Sequence, residues 1–332
     1  MSMAAWRERH SALQDLPVCD GLLPWTSAFL PPGADLPAML RRYRQAGIDH
    51  VSLTAAAGRD DTATALSRLG WFRRILQPHG DWVSIADGRH GIEAARAGGQ
   101  MSVSFHFQTA TPLLDDLEYV DAFRAAGVWR TILAYNEANT AGDGCHEPRN
   151  AGLSAFGRRL IARMDAAGMG VDLSHCGERT SLEAIEATAG VPVFSHSNAR
   201  ALFDHERNIT DVQIRACAAR GGYVGISGVG FFLGADGDGL PAAVARNVAY
   251  IADLVGPQHV GLGLDVMYLE GSDYGFFHGS RERWPRGYPN PPWSFLQPEQ
   301  FDALVEAIIG HGFSKAEIAG ILGGNLLRCM PR

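Results

Sequence analysis

Short apolar runs rich in Val, Ile and Leu recur along the chain. Between them lie longer stretches in which apolar residues return every three or four positions, the period of a helix with one buried face. The short runs predict strands at Val18–Gly21, His50–Thr54, Ser102–Phe107, Arg130–Ala134, Gly170–Ser174, Val191–Ser195, Gly222–Ile226 and His259–Leu264. The longer stretches predict helices such as Leu36–Gln45, Leu117–Ala126, Ser154–Ala167, Ser181–Thr188, Thr210–Arg220 and Pro241–Val255. Several run into glycine, as at Ala126-Gly127 and Ala167-Gly168, which suits a helix end. Strand and helix alternating eight times favours a (β/α)8 barrel (a TIM barrel) over an open sheet. A further run, Asp81–Ala86, is either an extra strand or an edge. The tail from Pro298 to Arg328 reads as two helices that close the barrel.

One segment breaks the alternation. Residues 271–295 hold Tyr274, Phe276, Phe277, Trp284, Tyr288 and Trp293 among Gly and Pro, with neither period. The segment follows the last strand, so it would lie over the rim of a single barrel spanning 1–332. A lid or pocket wall is the preferred reading, a dimer contact the alternative.

Composition narrows the function. The chain is 46% hydrophobic with a net charge of −7 and no dense Lys/Arg cluster, which argues against a nucleic-acid surface. Five dispersed cysteines without a CxxC pair suit reduced thiols. The start of the sequence, Met1 to Leu16, is polar and lacks a signal-type apolar core, and no run approaches the length of a membrane span. A soluble cytoplasmic protein that binds no membrane is expected.

Two predicted strands end alike, in Val171-Asp172-Leu173-Ser174-His175 and in Val193-Phe194-Ser195-His196. A third, Val260 to Leu264, delivers Asp265. In a barrel these side chains emerge together on the rim that carries the active site. Two imidazoles and a carboxylate there suggest a metal-dependent hydrolase. Gly144-Cys145-His146-Glu147 could supply further ligands, although a turn with a buried Cys weighs slightly more. Cys176 reads as packing. His106, alternating with Gln108 on one strand, is a minor polar candidate.

Several longer motifs carry a resemblance. VDLSHCG (171–177), VFSHSNAR (193–200), HERNITDVQIRACAARGGYVGIS (205–227), VGLGLD (260–265), GLSAFGRRLIARMDAAGMGVDLSH (152–175) and GGNLLR (323–328) resemble the membrane (renal) dipeptidase family of the amidohydrolase superfamily. The resemblance spans most of the chain from about Asp20 and implies a (β/α)8 fold. It also implies that His175 and His196 hold a zinc ion, that Arg207 holds the substrate carboxylate, and that Asp265 handles the proton. Without it, a helix-entry salt bridge would be the safer reading of Arg207.

The departures from the family are as informative. Where it has Asp-Gly-His-x-Asp, with His and Asp binding the second zinc, this chain has Asp20-Gly21-Leu22-Leu23-Pro24. Gln108 stands at the bridging glutamate, and Tyr135 where a histidine is expected. The chain resembles a bacterial subgroup lacking the same ligands. Asp265 is then the one obvious carboxylate in the site. Two divalent ions about 3.5 to 4 Å apart would repel strongly there. One Zn2+ at most is expected, on His175 and His196, with Asp265, Gln108 or water completing its shell; a metal-free site is the open alternative.

The leading expectation is a dipeptidase-like amidohydrolase cleaving a small amide or dipeptide-like substrate. Asp265 would be the general base, Tyr135 the oxyanion donor, Arg207 the carboxylate clamp and Gln108 a further substrate contact. One rival is a metal-independent enzyme using Asp265, His175 and Cys145. Another is a catalytically silent ligand-binding protein. A homodimer is expected from the family.

Overall fold

A computed structural model of the chain describes residues 4–26, 30, 33–267, 274–279, 281 and 287–331. Trp284, the side chain of Phe276 and much of the aromatic segment therefore lie outside the described residues.

Nine strands are present among the described residues: β1 (Cys19–Leu23), β2 (His50–Ala57), β3 (Val83–Ile85), β4 (Met101–Gln108), β5 (Val128–Ile132), β6 (Gly170–Asp172), β7 (Val193–Phe194), β8 (Tyr223–Ile226) and β9 (Val260–Leu262). All pairs are parallel and follow the path β1-β2-β4-β5-β6-β7-β8-β9. These eight are the strands expected from the apolar runs, curled into a nearly closed barrel with helices between them. The run at Asp81–Ala86 becomes β3. It pairs only with the first residues of β4, Val83 opposite Met101, and stays off the barrel path.

Closure at the β9–β1 seam uses a side chain. The Asp20 carboxylate accepts from Leu22 N at 3.1 Å and from Leu264 N at 2.8 Å, and Asp265 N donates to Leu22 O at 3.1 Å. A similar clamp joins β6 to β7: Asp172 Oδ1 accepts from Ser174 N at 3.2 Å and from Ser195 N at 3.1 Å. Its other oxygen takes Arg130 Nε at 2.8 Å, and Arg130 Nη2 reaches Gly21 O on β1 at 2.6 Å. Both members of this ion pair are fully buried.

The helices begin where the sequence caps them. Asp35 caps Leu36–Gln45, Ser154 caps Ala155–Ala167, and Thr210 with Gln213 forms a capping box on Asp211–Ala219. Gly168, at φ 68°, ends Ala155–Ala167 in the left-handed conformation that glycine adopts freely.

The outer face of the sheet is apolar: Phe105 stacks on Phe72, and Phe107 meets Phe123 edge-on. The inner side of β2 and β4 is polar instead. Ser102, His50, Ser104, Ser52, His106, Thr54 and Gln108 join in one hydrogen-bonded chain with links of 2.8–3.1 Å. It runs from the base of the barrel to the rim. Every member finds partners, which is the condition for burying polar groups without a large desolvation cost.

Candidate active site

His175 and His196 leave β6 and β7 one residue beyond the Asp172 clamp, so the same carboxylate fixes both exits. The Ser174 hydroxyl adds a bond from His196 N at 3.0 Å. Gly225 and Gly263 lie so close to the Ser195 carbonyl that a Cβ on either would collide with it. Glycine at these two positions lets β8 and β9 close around His196.

Three residues at strand exits sit in the left-handed region: Asn136 at φ 61°, His175 at φ 66° and Asp265 at φ 54°. Each such non-glycine conformation costs of order 1–2 kcal/mol and persists only where neighbours enforce it. Here it turns all three side chains inward over the barrel mouth.

The two imidazoles meet directly, Nε2 to Nε2 at 2.8 Å. Their other nitrogens are also held: His175 Nδ1 lies 2.7 Å from Asn136 Oδ1, and His196 Nδ1 lies 2.8 Å from Ser195 Oγ. The Asn136 carbonyl accepts only, so His175 carries its proton on Nδ1 and offers a lone pair at Nε2. The Tyr135 ring stacks on His175 with centroids 4.0 Å apart. Burial pushes both histidines well below their ordinary pKa, and the nearby Arg207 pushes further. Both rings are therefore neutral, the form that ligates metals.

Asp265 lies half-buried on the chamber wall with Gln108, Tyr135 and His175. Burial raises its carboxyl to about 7, with Arg207 opposing and Asp20 reinforcing the shift. Gln108 lines the same chamber but spends its Nε2 on Thr54 Oγ1 at 2.9 Å. Arg207 is buried, donates from Nη2 to His196 O at 3.3 Å, and leaves Nε without a partner. It has no carboxylate partner among the described residues, so the helix-entry salt bridge is absent. A buried guanidinium in that state is a ready receptor for an anionic group.

Two sequence-level candidates take other roles. The Cys145-His146-Glu147 ligand set does not assemble. His146 pairs with Glu206 at 2.8 Å, Glu147 accepts from Ala138 N at 2.8 Å, and the Cys145 thiol lies 3.4 Å from Asn136 Oδ1. Burial holds that thiol up at about 11, so it is no thiolate. His106 does point inward, yet Ser52 and Thr54 hold both its nitrogens below the chamber.

The sequence reading gave no separate role to Asn136, to Ser195 or to the pair Phe231 and Phe232. The Ser of each Ser-His pair was the available signal: Ser174 and Ser195 both bond at the junction. Asn136 carried none, since its position depends on a turn that brings it to a histidine 39 residues away.

The profile of the membrane dipeptidase family (peptidase family M19) matches residues 27–278. The chain belongs to this family. Among curated relatives, dipeptidase aclJ of Aspergillus oryzae is 32% identical over 186 residues, 55% of this chain and 40% of the relative. An uncharacterized dipeptidase of Schizosaccharomyces pombe is 26% identical over 272 residues, 79% of this chain and 61% of the relative. The matched stretch thus spans about half the length of these relatives. Among solved structures, an amidohydrolase from Pseudomonas aeruginosa superimposes with a TM-score of 0.85 at 25% identity, covering 96% of this chain and 97% of that one. The barrel is therefore that of the dipeptidase and amidohydrolase group.

The donor set can be tested against the family's zinc. Two Nε2 atoms converge on one point, and each Nδ1 has an oxygen partner of the kind that orients a ligating histidine. That arrangement fits one ion. No cluster of three or more His, Cys, Asp or Glu side chains that could hold a metal occurs among the described residues. Leu22, at the expected ligand position, is fully buried in the core.

Proposed function

We propose that the chain hydrolyses a small, carboxylate-bearing amide in the chamber over His175, with at most one zinc ion held by His175 and His196. The observation that carries this reading is the convergence of the two Nε2 atoms beside a carboxyl group that burial holds near neutrality. Family membership supports it. When bound, the ion would supply Lewis acidity toward the scissile carbonyl and the attacking water.

The chain's own residues account for the remaining chemistry. Arg207 binds the substrate carboxylate and fixes the amide relative to His175. Asp265 takes a proton from the attacking water and later delivers it to the leaving nitrogen, so one group serves as base and then acid. A carboxyl with a pKa near 7 suits both duties at neutral pH. Tyr135, fixed by its stack on His175, donates to the oxygen on which negative charge develops. Gln108, lining the same chamber, is a further contact for the substrate amide.

One observation favours a metal-independent variant of this chemistry. The direct His175–His196 bond makes an unbroken chain from Asn136 to Ser195, which needs no ion to satisfy its polar atoms. Elemental analysis of untagged protein, with amide turnover followed before and after chelation, decides between them. About one zinc per chain is expected, lost together with activity in His196→Ala. Activity that survives chelation would favour the metal-independent variant. Two zincs per chain would contradict the single-ion site, and ligand binding without turnover of any amide would leave only a binding protein.

A further inference from the structure

Two cavities meet at His175. One is the aromatic chamber beside Asp265, Gln108 and Tyr135. Its walls include Val229, Phe231, Phe232, Met267, Trp293 and Phe295. Phe231 packs against Trp293 at 5.1 Å and against Tyr288 at 5.3 Å, so the aromatic surface is continuous. The other cavity also reaches His175 and is polar, bordered by Arg200 and Arg207 and by Glu147, Glu178 and Glu206, whose carboxylates bond Ala138 N, Thr210 Oγ1 and His146. A substrate cleaved at His175 would have one end in each.

The two ends ask for different chemistry. On the polar side, the unpartnered Nε of Arg207 fits a carboxylate. On the aromatic side, Asp265 is the sole carboxylate lining the chamber among the described residues, and Gln108 is neutral. The free α-ammonium of a dipeptide would have to shed its water among aromatic side chains. Its counter-ion would be the one carboxyl that the chemistry needs for proton transfer. Transfer of an unpaired ammonium into such a site is costly, while an uncharged hydrocarbon chain gains from the same walls.

Resting on the hydrolytic reading above, we infer that the substrate is an N-acyl amino acid with an uncharged, apolar acyl group, not a dipeptide with a free amino terminus. The acyl group occupies the aromatic chamber and the carboxylate faces Arg207. Hydrolysis adds one water. Its oxygen bonds to the acyl carbon as the C–N bond breaks, and Asp265 carries a water proton to the leaving nitrogen. A carboxylic acid and a free amino acid result, with no oxidant or co-reactant.

The test uses substrate pairs that differ only by the ammonium group. Phenylacetyl-glycine is compared with phenylglycyl-glycine, and propionyl-alanine with alanyl-alanine, using both D- and L-alanine at the carboxyl end. The wild-type enzyme is expected to favour the acyl member by at least tenfold in kcat/KM. Gln108→Glu, which adds a carboxylate to the chamber wall, is expected to shift that ratio toward the dipeptide by a similar factor. Thr54 can receive the new carboxylate by turning its hydroxyl from acceptor to donor. Equal or better cleavage of the dipeptides by wild type would overturn the inference while leaving amide hydrolysis intact. If neither member is cleaved, the hydrolytic reading fails. Calorimetric binding of the same pairs then decides the inference: preference for the acyl compounds sustains it, and preference for the dipeptides overturns it.

Discussion

Asp265 owes its properties to its surroundings. Its backbone is held left-handed at φ 54°, its carboxyl faces a largely apolar chamber, and burial lifts its pKa to about 7. The basic form is the ionised one, so the rate should rise with pH through about 7. Asp265→Asn is expected to lower kcat by 10² to 10⁴-fold and to remove that acid limb from the pH–rate profile. Retention of the limb in the variant would assign the titration to another group. The place of this residue at the barrel mouth was legible early, because it directly follows a compact apolar run. Its neighbours were less legible. Tyr135 stood out only as a substitution within a family pattern, and its stack on His175 follows from how two strand exits meet. Asn136 is set by a left-handed turn, which residue types alone do not announce.

Elements are held in register by buried carboxylates that the sequence did not advertise. The eight barrel strands were readable because each is a compact apolar run, and β3 was ambiguous because it pairs along one short edge only. The inner side of β2 and β4 was harder to read. Ser52, Ser104 and His106 alternate with Leu53, Phe105 and Phe107, and that pattern equally suits a solvated face. The Asp172 clamp is a case where a strand residue positions a site it does not touch. Asp172→Asn keeps an oxygen for Ser174 N and Ser195 N but leaves the Arg130 guanidinium buried without its counter-charge. The variant is expected to lose about 3 kcal/mol of stability in urea denaturation, as when one member of a buried pair is removed. Where folded, it should stay within about tenfold of wild-type kcat/KM, because both strand exits remain bonded. A thousandfold loss in kcat/KM with normal stability would mean that Asp172 acts in the chemistry itself.

At the scale of the whole molecule, the polar barrel interior ties folding to pH. His50 and His106 lie in the hydrogen-bonded chain of β2 and β4, and His205 packs between Phe232 and Tyr288. Burial lowers His50 to about 3 and His205 to about 4, and it holds His106 well below its ordinary value; Arg130 adds to the effect at His50 and His106. Each is neutral when folded and free to take a proton near pH 6.5 when unfolded. Stability from these three is therefore present above about pH 6.5 and is lost as pH falls. Asp20 opposes them. Burial raises its carboxyl to about 7, so between about pH 4 and 7 the folded state binds the extra proton. His175 and His196 act with these histidines and Asp265 acts with Asp20, so five groups against two leave the unfolded state with about three more protons, a slope of about 4 kcal/mol per pH unit below 6.5. The urea midpoint should accordingly fall steeply between pH 6.5 and 5 and change little between 7 and 8. His106→Gln, which keeps a side chain able to bond Ser52 or Thr54, should flatten the slope by about one third. A midpoint that holds steady or rises on acidification would mean that these histidines are protonated in the folded barrel, against the neutral network their hydrogen bonds describe.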